Sequence, residues 1–302
     1  MHSSFYLPAY IMSDSKHGLS ILYVAVFLLS LNGLFSKLIP LDAVSVTQLR
    51  SVIAAIVLFV FAYTRKRAYR LNGIREYAGV YLVGVILGLH WISFYYSMQV
   101  STVAIGMLAL FTYPVIMVFL EPMFNKKRVQ VSDIIAALVV FAGVMIMVGD
   151  DINQFDSAAV QGVFWGVISA FLFSLRNLLQ KYKHSTVSSD GLILHQVIAI
   201  SIMLLMFVDV DATASLEIND WLLLILLGGI STATAHSLLS YSLKHLPAKS
   251  IAMISCLQPL SAAAFAWLII GEIPTKGVVI GGLIIVSVAF YESVYHVGQR
   301  KK

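Results

Sequence analysis

Ten apolar runs, at about 18–39, 43–64, 75–97, 101–121, 131–149, 158–180, 190–208, 220–243, 248–270 and 275–296, take up nearly all of this 302-residue chain. A helix needs roughly 20 residues to cross a bilayer. Hydrocarbon offers backbone N–H and C=O groups no outside partner, so each crossing must be helical. Charged residues make up 12% of the chain, about half the share usual in soluble domains. No segment remains that would fold as a sizeable soluble domain. With Cys256 as the only cysteine, an intramolecular disulfide and a cysteine metal cluster are excluded. Runs three and four, like runs eight and nine, are joined by a few residues and predict tight antiparallel hairpins.

The second five runs repeat the first five. An offset of 145 residues carries Pro114 onto Pro259, Tyr96-Ser97 onto Tyr241-Ser242, Gly84 onto Gly229, Leu82 onto Leu227 and Asn32 onto Asn177. Five spans is an odd number, so the two copies lie upside down relative to each other. The predicted fold class is an all-α polytopic membrane protein with ten transmembrane helices as two inverted five-helix repeats. Inverted repeats enclosing a midplane site are an architecture of secondary transporters.

Charge sets the orientation. With the N-terminus cytoplasmic, 16 of the 20 basic residues fall on the inside, including Arg65–Arg75, Lys126–Arg128, Lys181, Lys183 and Arg300–Lys302. Acids gather outside, at Asp150, Asp151 and Asp156 and again at Asp209, Asp211, Glu217 and Asp220. This bias predicts a multi-pass plasma-membrane protein with both termini cytoplasmic. The expected organisation is a cytoplasmic leader at 1–17, a first repeat at 18–149, an acidic external loop at 150–157, a second repeat at 158–296 and a basic tail at 297–302. The leader reads as disordered, with Met1 and Met12 as alternative starts. The first apolar run is too long for a signal-peptide core, and no A-x-A cleavage site follows it.

The second half carries Gln258-Pro259, then Gly271-Glu272-Ile273-Pro274, then Gly277, Gly281 and Gly282. The first half keeps Tyr113-Pro114 and Gly143 but places Lys127 where Glu272 stands. With the ten spans in two fives, these motifs resemble the EamA-type branch of the drug/metabolite transporter superfamily. The resemblance spans roughly 18–296. It implies export or exchange of small metabolites across a plasma membrane, commonly the bacterial inner membrane, and it implies no particular substrate.

Polar groups within lipid are costly and mark functional sites. Asn32 with Ser36, and Ser169, Phe173, Asn177 and Gln180, form comparable faces on spans one and six. They read either as symmetry-related walls of a substrate cavity or as amides bonding neighbouring helices. His90 and Trp91 lie in span three, with Phe94 one turn from His90, and His236 takes the place matching Trp91 in span eight, one turn from Ser240. These side chains suit a planar or amphipathic solute, and a histidine there is the available proton carrier. Tyr113, Ser255 and Gln258 complete the expected cavity. Pro114 and Pro259, each removing a backbone donor inside a span, are the expected hinges. Tyr96 and Tyr241 are gates at opposite mouths or anchors at the membrane interface. Arg50, matched by His195, is expected to snorkel outward near Asp42, the alternative being that it attracts an anionic or zwitterionic solute, and Arg176 is expected to reach the inner interface near Lys181.

No carboxylate lies at the centre of any span, so gradient-driven uniport or exchange, or coupling through histidine, is favoured over a carboxylate relay. The sequence holds no Walker, H-E-x-x-H or G-x-S-x-G motif. The expected function is therefore a secondary transporter, not an enzyme, exporting or exchanging an amino acid or related polar or aromatic solute by alternating access. The alternatives are a proton-coupled multidrug efflux carrier or a passive channel. Its expected partners are a small-molecule substrate and the lipid bilayer, with no nucleic acid, no cofactor and no metal, and its expected state is a monomer or homodimer.

Overall fold

The computed structural model describes residues 9–66, 69–125, 129–149, 154, 156–245 and 254–299. Among them every regular element is a helix. In order these are α1 (Ala9–Ser30), α2 (Asn32–Leu38), α3 (Ala43–Thr64), α4 (Ile74–Val100), α5 (Val103–Leu110), α6 (Tyr113–Leu120), α7 (Pro122–Asn125), α8 (Val131–Val148), α9 (Ala158–Lys183), α10 (Ser189–Leu204), α11 (Val210–Ala214) and α12 (Ile218–Ile225). A π-helical segment at Leu226–Thr234 leads into α13 (Ala235–His245), followed by α14 (Leu257–Ile270) and α15 (Lys276–Gln299). Local chemistry starts several of them. Asp42 accepts from Val44 N at 2.7 Å to cap α3, Thr102 caps α5, and Ser157 and Ser188 cap α9 and α10. Each cap satisfies an N–H that the first turn cannot.

Among the described residues, seven helical stretches are long and apolar enough to cross a membrane, where ten were expected. The other three runs hold shorter apolar helices, Asp190–Leu204, Leu257–Ile270 and Lys276–Tyr291. The leader differs from its expectation, because α1 already begins at Ala9. The hairpin between spans three and four is present as the turn at Ser101-Thr102, whereas the one between eight and nine lies outside the described residues. The molecule is apolar outside as well as inside: Phe59, Leu138 and Leu268 are 63%, 64% and 73% exposed. In water such a surface would aggregate; in a bilayer it is solvated.

Helix packing repeats as the sequence does. α4 packs along α9, and its repeat mate α13 packs along α1. α4 also packs along α10, as the π segment packs along α3, and α5 packs on α9, as α14 packs on α1. Three contacts are their own mates: α8 with α15, α3 with α10, and α5 with α14. Exchanging the halves therefore maps these contacts onto one another. At the α8–α15 crossing the backbones nearly touch. A Cβ on Gly281 would lie 2.3 Å from the Gly143 carbonyl oxygen, and one on Gly277 2.6 Å from that of Ile146.

The spans break where the repeat breaks. Span four stops at Phe111-Thr112, between α5 and α6, and span nine is interrupted at Cys256, which sits at the matching position and precedes α14. Pro114 and Pro259 thus stand in the first turn of a new helix, where a missing N–H costs nothing. The breaks are short, one or two residues with near-helical dihedrals at Phe111, Thr112 and Cys256. Other breaks are unmatched. Span one turns at Leu31, while α9 runs straight through the equivalent position, and the π segment of span eight has a regular helix as its counterpart in α4.

Candidate functional site

The matched interruptions face one central cavity of about 130 Å³. The carbonyls that Pro114 and Pro259 leave without a helical donor, four residues earlier, belong to Leu110 and Ser255, and both residues line it. Four pairs of lining residues are repeat mates: Trp91 with His236, Phe94 with Leu239, Leu110 with Ser255, and Tyr113 with Gln258. The first half supplies mostly aromatic faces and the second half mostly polar ones. Leu29, Asn32, Arg50, His90, Phe111 and Phe173 complete the wall without a mate among the lining residues.

Aromatic contacts stiffen one side. Phe173 stands 4.9 Å from the His90 ring and 5.1 Å, edge-on, from Tyr113, and His90 stacks on Phe94 at 6.0 Å. His90 is fixed from behind. Its Nδ1 lies 2.7 Å from Ser169 Oγ and 3.0 Å from the Ser169 carbonyl, so span six holds the ring that span three presents. Ser169 therefore orients a lining residue and does not line the cavity itself. Asn32 donates to the Leu29 carbonyl at 2.8 Å and accepts from Tyr95 Oη at 3.2 Å.

The structure thus brings together Asn32, His90, Trp91, Phe94, Tyr113, Phe173, His236, Ser255 and Gln258 of the expected set. Three expected cavity residues lie elsewhere. Ser36 is buried and bonds the Gly33 carbonyl at 2.6 Å, Ser169 is spent on His90, and Asn177 accepts from Arg176 Nη1 at 3.0 Å. The paired asparagine walls are accordingly one wall, because span one turns just before Asn32 and span six does not turn. The Ser240 side chain and Lys127 fall outside the described residues.

Tyr96 and Tyr241, expected as gates or interface anchors, lie away from the central cavity. Both are partly exposed, at 39% and 37%, and neither lines the cavity. Tyr96 packs edge-on against Trp165 at 5.4 Å in an outward-facing apolar groove. Its neighbour Tyr95 is the buried one, a single helical position round toward the centre.

Arg50 departs furthest from expectation. It does not snorkel: it is 1% exposed and lines the cavity. Its Nη2 and Nε donate to Thr232 Oγ1 at 2.8 and 3.1 Å, and its Cζ lies 4.2 Å from the Trp91 ring centroid and 5.2 Å from that of Tyr95. Thr232 is aimed by the π segment, where its hydroxyl donates to the Leu227 carbonyl five residues back at 2.8 Å. Arg176 likewise turns inward, donating to Gln196 Oε1 at 2.7 Å. His195, the repeat mate of Arg50, bonds the Tyr69 carbonyl at 2.7 Å, packs against Tyr77 and is absent from the cavity wall. Sequence reasoning placed Tyr95, Leu29, Leu239 and Thr232 nowhere, since apolar and hydroxyl residues give no signal against an apolar background.

Two ion pairs lie at opposite ends. Gly271, left-handed at φ +72°, ends α14 and turns Glu272 back over the bundle. Glu272 Oε1 lies 3.4 Å from Lys37 Nζ, and its Oε2 accepts from Val103 N at 2.8 Å. Lys37 also donates to the Ser101 carbonyl at 2.7 Å. At the other end Glu121 accepts from Lys181 Nζ and Tyr182 Oη, each at 2.6 Å. Tyr182 is the repeat mate of Lys37. Helix α9 joins the two ends, from Gly162 beside Ser101 to Lys181, about 28 Å at 1.5 Å per residue.

The profile of the EamA-like transporter family matches residues 16–149 and again 160–291. The uncharacterized transporter YxxF of Bacillus subtilis is 24% identical over 180 residues, 59% of this chain and 58% of its own, so the chain spans less than two thirds of that relative. An uncharacterized transporter of Helicobacter pylori is 22% identical over 220 residues, 71% of this chain and 72% of its own. A crystal structure at 14% identity superposes with a TM-score of 0.63, covering 95% of this chain and 99% of its own, which speaks to the fold alone.

Proposed function

Because the chain belongs to the EamA-like transporter family, we propose that it is a ten-span secondary carrier in a bacterial inner membrane, exporting or exchanging a small polar or aromatic metabolite by alternating access. The observation that carries this reading is the cavity bounded by four repeat-matched residue pairs. A site on the relation between two repeats can be reached from either side as one repeat rocks against the other. The interruptions at Phe111-Thr112 and Cys256 give each repeat a break beside the site. The ion pairs at Glu272 and Glu121 provide a closure at each mouth.

Purified full-length protein in liposomes is expected to catalyse saturable uptake of a metabolite, accelerated by unlabelled metabolite preloaded inside. Candidates come from comparing the medium of cells with and without overexpression. Flux that rises linearly with concentration and shows no counterflow would instead establish a channel.

A further inference from the structure

We propose that Arg50 is the carboxylate anchor of the central cavity, so that the solute is an organic carboxylate with an apolar or aromatic body. This rests on the carrier reading above and names its substrate class. A guanidinium carries five N–H donors and a permanent charge. Within an apolar bundle such a group is costly unless it is paired. Arg50 receives only a neutral hydroxyl, Thr232 Oγ1, and the faces of Trp91 and Tyr95. Among the described residues no carboxylate lies within ion-pair distance of it, and Nη1 has no hydrogen-bond partner and is not sealed from the cavity.

The bond to Thr232 engages the Nε side of the fork. The Nη1–Nη2 edge keeps free N–H groups, the edge that takes a carboxylate through two parallel bonds. The fold itself does not demand a cation here, since the second repeat puts His195 at the same position and satisfies it on a backbone carbonyl. The π segment that aims Thr232 is also confined to one repeat. Such segments cluster at functional sites. The rest of the wall distinguishes carboxylate from phosphate. Among the described residues Arg50 is the only Lys or Arg lining the cavity, and the facing groups are Phe94, Tyr113, Phe173 and His90 with the neutral amides of Asn32 and Gln258. A single positive charge in an aromatic setting fits one carboxylate and an apolar body, and it underserves a dianion.

The test is calorimetric binding to purified full-length protein in detergent. The probes are carboxylate–carboxamide pairs: phenylalanine with phenylalaninamide, leucine with leucinamide, and 3-phenylpropanoate with 3-phenylpropanamide. Inorganic phosphate is added as a separate arm. Wild-type protein is expected to bind at least one carboxylate about tenfold or more tighter than its amide, the worth of a charge-assisted hydrogen bond. Arg50→Gln should bring that ratio to within about twofold. Arg50→Lys should keep part of the preference, and Thr232→Val should reduce it. The wild-type ratio is decisive even where a variant does not fold. Equal binding of every pair, no binding of any carboxylate, tighter binding of phosphate, or a preference surviving Arg50→Gln would each overturn the anchor. Liposome counterflow separates the two readings. Carboxylate-selective binding without flux removes the carrier and keeps the anchor, whereas Arg50-independent flux of neutral solutes does the reverse.

Discussion

Arg50 and His195 occupy one position in two repeats and do unrelated work: one faces the cavity from beneath Trp91, and the other holds the Tyr69 carbonyl. The asparagines diverge in the same way. Asn32 lines the cavity and bonds Tyr95, while Asn177 accepts from its neighbour Arg176. The amide-to-alanine pair therefore has unequal expected effects. Asn32→Ala should lower counterflow about tenfold or more, since it leaves Tyr95 Oη unpaired at the cavity edge. Asn177→Ala should keep flux within about twofold. Flux measured at matched protein content in liposomes checks both, and a larger loss in Asn177→Ala would return the cavity to the symmetric arrangement. Behind the wall, Ser169 shows how a buried hydroxyl serves a site it does not touch, since it fixes the His90 ring that the solute would meet.

At the level of helices, small residues decide where spans approach. The α8–α15 crossing depends most on Gly281, where a Cβ would lie 2.3 Å from the Gly143 carbonyl oxygen, and less on Gly143, where one would meet its neighbours at 3.1 Å. Gly281→Ala is expected to destabilise the protein by roughly 1–3 kcal/mol through overpacking, read as a lowered unfolding temperature in detergent. Gly229→Ala is its control. An added Cβ there meets only Val57 Cγ2 at 3.9 Å, so the change should stay within about 0.5 kcal/mol. Equal effects at the two sites would show that crossing distance is not what the glycines serve. Its neighbour Gly228 makes the tight contact instead, against Ile53 and the Arg50 carbonyl. The letter-for-letter match of Gly84 with Gly229 is thus displaced by one residue in space, in the span that carries the π segment. Helix interruptions follow a similar rule: Pro114 and Pro259 stand in the first turn of new helices, and the residues four positions before them, Leu110 and Ser255, line the cavity.

For the whole molecule, the proposed alternating carrier needs a closure at each mouth, and the two ion pairs lie at opposite ends. Each joins a repeat-matched end of span one or span six to the region after span four or span nine. Neutralising one should favour the state open at that mouth. A pair this exposed is worth roughly 0.2–1 kcal/mol, up to about 5-fold in population. Cys256, buried at the span-nine interruption and the only cysteine of the chain, is the reporter. An impermeant thiol reagent is expected to label it faster from one face of the membrane in Glu272→Gln and from the opposite face in Glu121→Gln. Right-side-out and inverted vesicles resolve the two, and acceleration from the same face in both variants would remove the paired-closure arrangement.

The membrane class and the twofold repetition were legible in the amino-acid order, because hydrophobic run length and matched letters report on lipid and on duplication directly. The proline positions also marked the interruptions beside the cavity. Tertiary structure alone decided which of two matched residues faces the centre. A turn at Leu31 and a π segment at Leu226–Thr234, both present in only one repeat, rotate side chains by part of a helical turn, and neither leaves a compositional trace. Asn32 rather than Asn177 lines the cavity beside the turn at Leu31, whereas Arg50 rather than His195 and Tyr95 rather than Tyr96 meet the cavity or its edge from unbroken helices, through what those helices pack against. Periodicity tells a helix from a loop, but the azimuth of each residue about its axis is set by what the helix packs against.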